Sequence, residues 1–288
     1  MRQRLISAAV LVPVVVIVFL LGDPWITAGI ALLAALAAIE TTRLVRLAGF
    51  AAELWLAVVL APVAVVGAFV LSHLSGDLPW MVAASFVGFV VLAPAFVALS
   101  GWDKEPEEAF RNWIGSMIAS AYPSLLAFVV ALIAIAPELP PGAPLHSIVD
   151  APRAWLLVLV ATVWTFDSAA YLTGRIYPRG RLALNISPNK TYSGYIGGMV
   201  AATVVCTLLV WAVGRDPVTG LFLGSLTAIS AQVGDLVEST LKRLAGMKDS
   251  GSLIRGHGGL LDRLDSFLFA APAMFIAITY GRLIGFAI

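Results

Sequence analysis

Ionisable side chains are concentrated in the C-terminal half of the sequence, inside or next to long apolar runs. Asp167 lies within one such run. Asp235 and Glu238 close another run, and their spacing of three residues places both carboxylates on one face of a helix. Lys242 follows on the same face. Because it is costly to bury an ionisable group among apolar residues, each of these positions is a candidate for function.

A second group of acids and bases follows within residues 248–265. Lys248 and Asp249 are adjacent, and Asp262 and Asp265 open the last apolar run with the same spacing of three residues. That spacing again places two carboxylates on one helical face. Acidic groups in the first turn of a helix are favoured by the helix dipole.

The combination of acids, bases and glycines indicates a bound metal–polyphosphate complex. Mg²⁺ prefers oxygen ligands and often retains waters and substrate phosphates, which accounts for the aspartates. Phosphate groups are bound by basic side chains and by glycine-rich backbone, such as Gly258 and Gly259 next to His257. The basic candidates are Lys190, Lys242, Arg243, Lys248 and Arg263.

A polar loop precedes the seventh apolar run, at Asn185–Gly194. Pro188 ends any helix there, while Ser187, Lys190 and Thr191 supply hydroxyl groups and a positive charge. These features resemble a phosphate-binding loop, although the Gly-x-x-x-x-Gly-Lys spacing of a Walker motif is absent. Taken alone, the loop is a weak signal.

Each cluster also has a purely structural interpretation. The two aspartates that open the last run are suited to cap a helix. The acids that close the preceding run could pair with Lys242 at a helix end. Asp167 is compatible with hydrogen-bonded packing, and a single loop histidine such as His257 is more often satisfied locally than a ligand. The clustering therefore carries more weight than any single residue.

The composition indicates that membrane-spanning helices carry these residues. Of 288 residues, 60% are hydrophobic and 12% charged, whereas soluble domains are about 45–50% apolar and about 25% charged. An ordinary water-soluble enzyme is therefore excluded. A span needs about 20 residues, so we expect an all-α integral membrane protein with about nine transmembrane helices. The runs are Leu5–Leu21, Ile26–Ile39, Ala52–Leu71, Pro79–Leu99, Trp113–Ala136, Ala154–Gly174, Gly194–Val213, Val218–Val237 and Ser266–Ile288.

Basic residues orient the predicted spans. With a cytoplasmic N-terminus, 15 of the 18 lysines and arginines fall in cytoplasmic segments. This excess is the positive-inside pattern, and an odd number of crossings places the C-terminus on the opposite side. We expect N-terminal transmembrane helices at residues 1–112, about four in number, and helices at 113–288 that carry the cytoplasm-facing site.

Charge and cysteine content limit the possible partners. The net charge of +1 gives no reason to expect a nucleic acid as a partner. Cys206 is the only cysteine, so neither an internal disulfide nor a cysteine-based zinc site is expected.

Several segments of the C-terminal half together form a recognisable signature. They are Ser239–Arg243, Lys248–Gly251 and His257–Asp265, preceded by Gly234–Ser239, with further motifs at Ser187–Thr191, Asp167–Ser168 and Ala170–Tyr171. These motifs resemble those of the CDP-diacylglycerol synthases (phosphatidate cytidylyltransferases). The resemblance covers roughly residues 160–270, and the N-terminal half is similar only in hydropathy. Arg255 departs from the family pattern, which usually has proline or another small residue there.

The resemblance implies transfer of CMP from CTP to phosphatidic acid, with formation of CDP-diacylglycerol and release of pyrophosphate. It implies a dimeric, all-helical membrane enzyme that requires Mg²⁺, with a monovalent cation such as K⁺ sharing the site. By motif position, the metal ligands are Asp235 and Asp262, followed by Asp167, Asp249 and Asp265. Catalytic roles are implied for Asp235, Asp262, Lys242, Arg263 and His257, and nucleotide contacts for Ser187, Lys190, Thr191, Arg243, Lys248, Gly258 and Gly259.

The reaction that we expect is a direct in-line transfer without a covalent enzyme intermediate, in the inner membrane of a bacterial cell. The nearest alternative is a related CTP-dependent lipid enzyme, such as a polyprenol kinase or an archaeal-lipid cytidylyltransferase. An ion-coupled transporter is disfavoured, because transporters place ionisable groups near the bilayer midplane in paired repeats. Here the acids lie mainly at the predicted cytoplasmic ends of spans, within one half of the chain.

Overall fold

The computed structural model describes residues 13–74, 92–99, 105–251 and 258–281, which are predominantly helical. In chain order the elements are α1 (Trp25–Leu47), α2 (Leu54–Leu74), α3 (Ala93–Leu99), α4 (Pro106–Ser124), α5 (Ala127–Ala134), α6 (Ala151–Ile176), β1 (Arg181–Ala183), β2 (Ser187–Thr191), α7 (Tyr192–Ala212), α8 (Pro217–Leu244) and α9 (Leu261–Gly281). Residues 13–21, ahead of α1, are also helical.

Seven stretches of the described residues are long and apolar enough to cross a membrane. They are α1, α2, α4 together with α5, α6, α7, α8 and α9. Each corresponds to one of the predicted apolar runs, so the prediction of an all-α membrane protein is confirmed. The runs at Leu5–Leu21 and Pro79–Leu99 lie partly outside the described residues, which include only residues 13–21 and 92–99 of them, and the count of about nine spans stays a prediction.

Helix α1 continues well beyond the predicted end of its apolar run at Ile39. Glu40, Thr41 and Thr42 are all buried within the helix. The hydroxyl groups of the two threonines donate to carbonyl oxygens one turn earlier in the same helix, at 2.8 and 2.7 Å. Because tertiary contacts cover these polar residues, the helix extends to Leu47.

The fifth predicted run is divided into two helices by Pro123. The proline has no N–H to donate to the carbonyl of Ala119, and α4 ends one residue later, at Ser124. The Oγ of Ser124 donates to the carbonyl oxygen of Ser120 at 2.6 Å, which provides a side-chain donor close to the break. Helix α5 then begins at Ala127.

A short antiparallel β-hairpin lies where the polar loop was predicted. Arg181 of β1 is opposite Thr191 of β2, and Ala183 is opposite Ser187. The carbonyl oxygen of Pro188 accepts a hydrogen bond from Nη1 of Arg181 at 2.6 Å. A proline is tolerated in a strand of this kind because both strands of a two-stranded sheet are edges. The hairpin is a local exception to the otherwise helical fold.

Close packing divides the chain into two compact units. Unit 1 comprises Met1–Ala131 and Thr240–Leu264, and unit 2 comprises Leu132–Ser239 and Asp265–Ile288. Within unit 1, α1, α2 and α4 pack against one another. Within unit 2, α6 packs along most of α7. Helices α8 and α9 each contribute residues to both units.

Glycines allow the backbones of α7 and α8 to approach closely within unit 2. A Cβ atom added to Gly220 would lie 2.5 Å from Cα of Thr207, and one added to Gly224 would lie 2.7 Å from Cα of Thr203. Small residues at such crossings are typical of helix packing in membranes, where close van der Waals contact replaces the hydrophobic effect. This packing supports the segment of α8 that leads to Asp235.

We expect Gly224→Ala to destabilise the protein by about 1–3 kcal/mol, because the added methyl group meets backbone that cannot rotate away. The measurement is thermal unfolding of the purified protein in detergent. Gly67→Ala in α2 is the matched control, since a Cβ there meets nothing within 4 Å. Equal melting temperatures for the two variants would contradict the packing argument.

Candidate active site

Asp262, in the first turn of α9, accepts four hydrogen bonds within unit 1. Its Oδ1 accepts from the ammonium group of Lys242 at 2.6 Å, and the two side chains are only 13% and 11% exposed. Its Oδ2 accepts from the backbone N–H and the hydroxyl of Ser250, at 3.0 and 3.1 Å, and from the N–H of Gly259 at 2.9 Å. Two predicted catalytic residues are thus in direct contact, and Asp262 ties together both described ends of the segment that joins α8 to α9.

The two predicted glycines allow this segment to close around carboxylates. Gly258 has a φ of 84°, a conformation that favours glycine. A Cβ atom on Gly259 would lie 1.9 Å from Oγ of Ser250 and 2.6 Å from Oε2 of Glu40. In this structure the backbone at Gly259 approaches protein carboxylates, and an approach to phosphate stays a prediction.

Glu40 of α1 belongs to the same cluster and was missed by the sequence analysis. Its side chain is buried, at 3% exposure, and accepts hydrogen bonds from the hydroxyl of Ser250 and from the N–H groups of Leu260 and Leu261. The available signal was an acid directly after an apolar run. It lies in the N-terminal half, outside the motifs from which the site was predicted.

Unit 2 contains a cluster of four carboxyl groups, which we call the acidic cluster: Asp167, Asp235, Glu238 and Asp265. The side chains of Asp265 and Glu238 are hydrogen-bonded to each other, and Asp265 is within electrostatic range of the other two. Glu238 is fully buried and Asp265 is 9% exposed. Like charges repel at such short range, so a proton or a cation between the two carboxyl groups would stabilise their contact.

Helices α6, α8 and α9 bring the acidic cluster together. A Cβ atom on Gly234 would lie 2.3 Å from the carbonyl oxygen of Asp265, so α8 and α9 are in close contact beside Asp235. Asp167 of α6 is exposed, and its Oδ1 accepts a hydrogen bond from the hydroxyl of Ser266 at 3.2 Å. The predicted association of these aspartates therefore has a geometric basis within unit 2.

Lys190 connects the β-hairpin to the acidic cluster. Its ammonium nitrogen lies 2.5 Å from Oδ2 of Asp235, and the two side chains are 19% and 29% exposed. Among the described residues, this buried ammonium group has no hydrogen-bond acceptor apart from that carboxylate. A lysine with unused donors beside several acids is suited to bind a phosphate group that arrives with a metal ion.

The other predicted site residues have varied surroundings. Thr191 is buried and caps α7, its hydroxyl oxygen accepting from the N–H of Gly194 at 3.0 Å. Arg243 donates to the carbonyl oxygen of Met247 at 3.1 Å. Lys248, Asp249 and Arg263 are exposed, and Ser187 is half-buried in β2. His257 and Arg255 lie outside the described residues.

The acidic cluster fits Mg²⁺ by the chemistry of its donors. Among the residues that the structure describes, no three Asp, Glu, His or Cys side chains are arranged to hold a metal ion by themselves. Mg²⁺ in nucleotide enzymes, however, usually takes one or two carboxylates and completes its shell with waters and substrate phosphates. Four carboxyl groups provide more oxygen ligands than that, so the residues present are compatible with this ion.

Comparison with known proteins finds matches over nearly the whole chain. The profile described as the Cytidylyltransferase family matches residues 2–281. A Synechocystis protein named phosphatidate cytidylyltransferase is 31% identical over 95% of this chain and 94% of its own length. Proteins of the same name from Bacillus subtilis and Haemophilus influenzae are 40% and 37% identical.

The last two alignments are partial. The Bacillus match spans 43% of this chain and 47% of the relative, and the Haemophilus match spans 53% of each. The family profile and the Synechocystis relative nevertheless cover both units of the structure. This membrane protein therefore belongs to the cytidylyltransferase family of nucleotidyl-transferring enzymes.

Proposed function

We propose that this protein transfers CMP from CTP to phosphatidic acid, forming CDP-diacylglycerol and releasing pyrophosphate. The observation that carries the proposal is the similarity, over 95% of the chain, to a relative named phosphatidate cytidylyltransferase. The carboxylate and lysine clusters among membrane-spanning helices support it, because the reaction joins a polyanionic nucleotide to the phosphate of a lipid.

In the proposed reaction, a phosphate oxygen of phosphatidic acid attacks the α-phosphorus of CTP in line. The new P–O bond forms while the bond from the α-phosphorus to the oxygen bridging it to the β-phosphate breaks, and that oxygen leaves with pyrophosphate. Such a transfer depends on positioning and charge neutralisation more than on a protein nucleophile. No covalent enzyme intermediate is required.

The acidic cluster is the proposed site for Mg²⁺, with Asp235 as the leading ligand and Asp167 or Asp265 as a second one. Waters and substrate phosphates would complete the shell of the ion. When bound, the metal supplies positive charge to the phosphate oxygens. Lys190 would bind a phosphate oxygen through the donors that its ion pair with Asp235 leaves unused. A monovalent cation such as K⁺ is proposed as a second ion.

The unit 1 residues have separate proposed roles. The exposed side chains of Arg243, Lys248 and Arg263 would attract the anionic substrates. Asp262 and Asp249 are the remaining proposed metal ligands. In this conformation Lys242 occupies Oδ1 of Asp262, so a cation that binds there must compete with its ammonium group.

We also propose that the protein is a homodimer in the bacterial inner membrane, with its active site facing the cytoplasm. The orientation is supported by the excess of basic residues in the segments assigned to that side, 15 of 18, and the homodimer only by the resemblance to the family. Phosphatidic acid would then enter laterally from the cytoplasmic leaflet, and CTP from the cytoplasm.

The test is to incubate the purified protein with CTP, phosphatidic acid and Mg²⁺. We expect CDP-diacylglycerol and pyrophosphate in equal amounts. Removal of Mg²⁺ with a chelator should reduce the rate to the background level, and added Mg²⁺ should restore it, because the phosphate charges are otherwise not neutralised. A rate that is unaffected by chelation would contradict the metal assignment.

The same assay separates the alternatives through their products. Transfer of a single phosphate from CTP to a polyprenol, with release of CDP, would identify a lipid kinase. CMP transfer only to an archaeal ether lipid would identify a different acceptor. If the active control enzyme forms CDP-diacylglycerol and this protein does not, the proposed function is wrong.

A further inference from the structure

Glu40 is a buried acid, and within the described part of the chain its hydrogen-bond donors all come from one distant stretch, residues 250–261. Its Oε2 accepts from the hydroxyl of Ser250 at 2.9 Å and from the N–H of Leu261 at 2.8 Å, while Oε1 accepts from the N–H of Leu260 at 3.1 Å. Unpaired charges are rarely buried this deeply, because the loss of hydration has to be offset by hydrogen bonds. Three donors at short distance provide that compensation.

Two of these donors belong to the start of α9. The first N–H groups of a helix have no acceptor within the helix, and the helix dipole favours a negative charge beside them. Glu40 meets both conditions from α1, through Leu260 and Leu261. The carboxylate therefore acts as a capping group that is supplied by another helix.

The third donor links Glu40 to Asp262. The hydroxyl of Ser250 lies 2.9 Å from Oε2 of Glu40 and 3.1 Å from Oδ2 of Asp262. One hydroxyl group thus bridges two carboxylates, and it carries a single proton to share between them. Ser250 thus connects Glu40 to Asp262 and its ion pair with Lys242.

The segment fits tightly around the Glu40 carboxylate. A Cβ atom on Gly251 would lie 2.3 Å from Oε1 of Glu40, and one on Gly259 would lie 2.6 Å from Oε2. Gly251 faces one carboxylate oxygen of Glu40 and Gly259 faces the other. Because neither residue has a side chain, the backbone at both positions lies directly against the carboxylate. Such close contact leaves little freedom for Gly251 and Gly259 to shift while Glu40 is in place.

We propose that Glu40 is a positioning residue for the reaction: it fixes Ser250 and the start of α9, and thereby the geometry of Asp262 and Lys242. The inference rests on the proposed function, because the consequence of this positioning is read out as CMP transfer. Glu40 acts through Ser250 and α9 and makes no contact with substrate.

The decisive variant is Glu40→Gln, which keeps the size of the side chain but replaces one oxygen by an NH₂ group. Each oxygen accepts from at least one backbone N–H, so either orientation of the amide brings two donors face to face. We expect kcat to fall by about 10- to 100-fold, since small displacements of reacting groups have effects of this size. The KM for CTP should change by less than about 3-fold, because substrate binding is not directly affected.

Two further variants distinguish positioning from general stability. Glu40→Asp retains the carboxylate on a shorter side chain, and we expect it to recover part of the kcat lost in Glu40→Gln. Thr41→Val is the matched control, because Thr41 is the next buried residue of α1 and its hydroxyl bonds only to the carbonyl oxygen of Ala37 in the same helix. Its kcat should equal that of the wild type.

Amide hydrogen exchange provides a readout that does not depend on activity. In Glu40→Gln, peptides that contain residues 258–262 should exchange about 10-fold faster, because their N–H groups lose a charged acceptor. Peptides from α6 and α7 should be unchanged.

The outcomes separate the inference from the proposed function. Unchanged exchange at residues 258–262, or faster exchange with a wild-type kcat, would overturn the positioning role. A wild type without CMP transfer would reject the proposed function, and with it the catalytic part of the inference. The exchange measurement would still decide whether Glu40 anchors the start of α9.

Discussion

Asp235→Asn is expected to reduce CMP transfer by about a thousandfold while the protein remains folded, because it removes one charged oxygen from the proposed metal site. Asparagine has nearly the same shape as aspartate, and Asp235 is only half-buried, so the helix α8 should be retained. The variant should also need more Mg²⁺ for half-maximal activity. The measurements are kcat as a function of Mg²⁺ concentration and the melting temperature in detergent.

Two further variants distinguish the loss of a metal ligand from the loss of the ion pair between Asp235 and Lys190. Asp216→Asn changes an exposed acid of the segment that begins α8, where the side chain accepts from the N–H of Val218 at 2.8 Å, and it should leave activity unchanged. Lys190→Met removes the partner of Asp235 without removing the carboxylate. If Asp235 serves only to hold Lys190, Asp235→Asn and Lys190→Met will lower kcat equally. The double variant will then have the same kcat as either single variant. That result, or wild-type turnover in Asp235→Asn, would reject the metal assignment.

Asp262→Asn is expected to lower activity by about a hundredfold or more and also to destabilise the protein. Lys242 donates to one oxygen of Asp262, and three donors meet the other. Whichever oxygen becomes an NH₂ group therefore faces a donor. Removing one member of a nearly buried ion pair costs about 3 kcal/mol, which a folded protein of this size can tolerate.

The Lys242→Met variant and the double variant show which part of the effect belongs to the ion pair. Stability should recover partly in the double variant, because neither charge is then left unpaired. Activity should not recover, because both groups are needed in the proposed site. A folded Asp262→Asn variant with wild-type turnover would show that the carboxylate is dispensable for the reaction.

Hydropathy predicts the spans of this protein well, because lipid requires long apolar helices. It does not predict where α1 ends, since Thr41 and Thr42 stay helical through hydrogen bonds to their own helix and through burial by neighbours. The break after Pro123 follows from the missing N–H of proline, but whether a proline kinks or divides a helix depends on its surroundings. The sequence predicted a polar loop at Asn185–Gly194, and the structure has a β-hairpin at residues 181–191.

Ionisable residues inside or next to apolar runs are the candidates that the sequence offers, and they include all four acids of the acidic cluster. It could not assign the partners of Asp262, because three of its four donors are groups of Ser250 and Gly259 whose direction depends on the folded backbone. Glu40 was missed for a related reason. Its hydrogen-bond donors are 210 or more residues away in the sequence, and no local sequence pattern predicts contacts over such a separation.

The separation between Glu40 and its donors has a consequence for biosynthesis. A ribosome that adds 5–20 residues per second delivers Ser250 about 10–40 s after Glu40, which precedes it by 210 residues. Throughout that interval α1 carries a carboxylate whose final hydrogen-bond donors have not been synthesised. Nascent chains that stop before residue 250 therefore lack every one of these described donors, and the Glu40 carboxylate has to keep its hydration until they are synthesised.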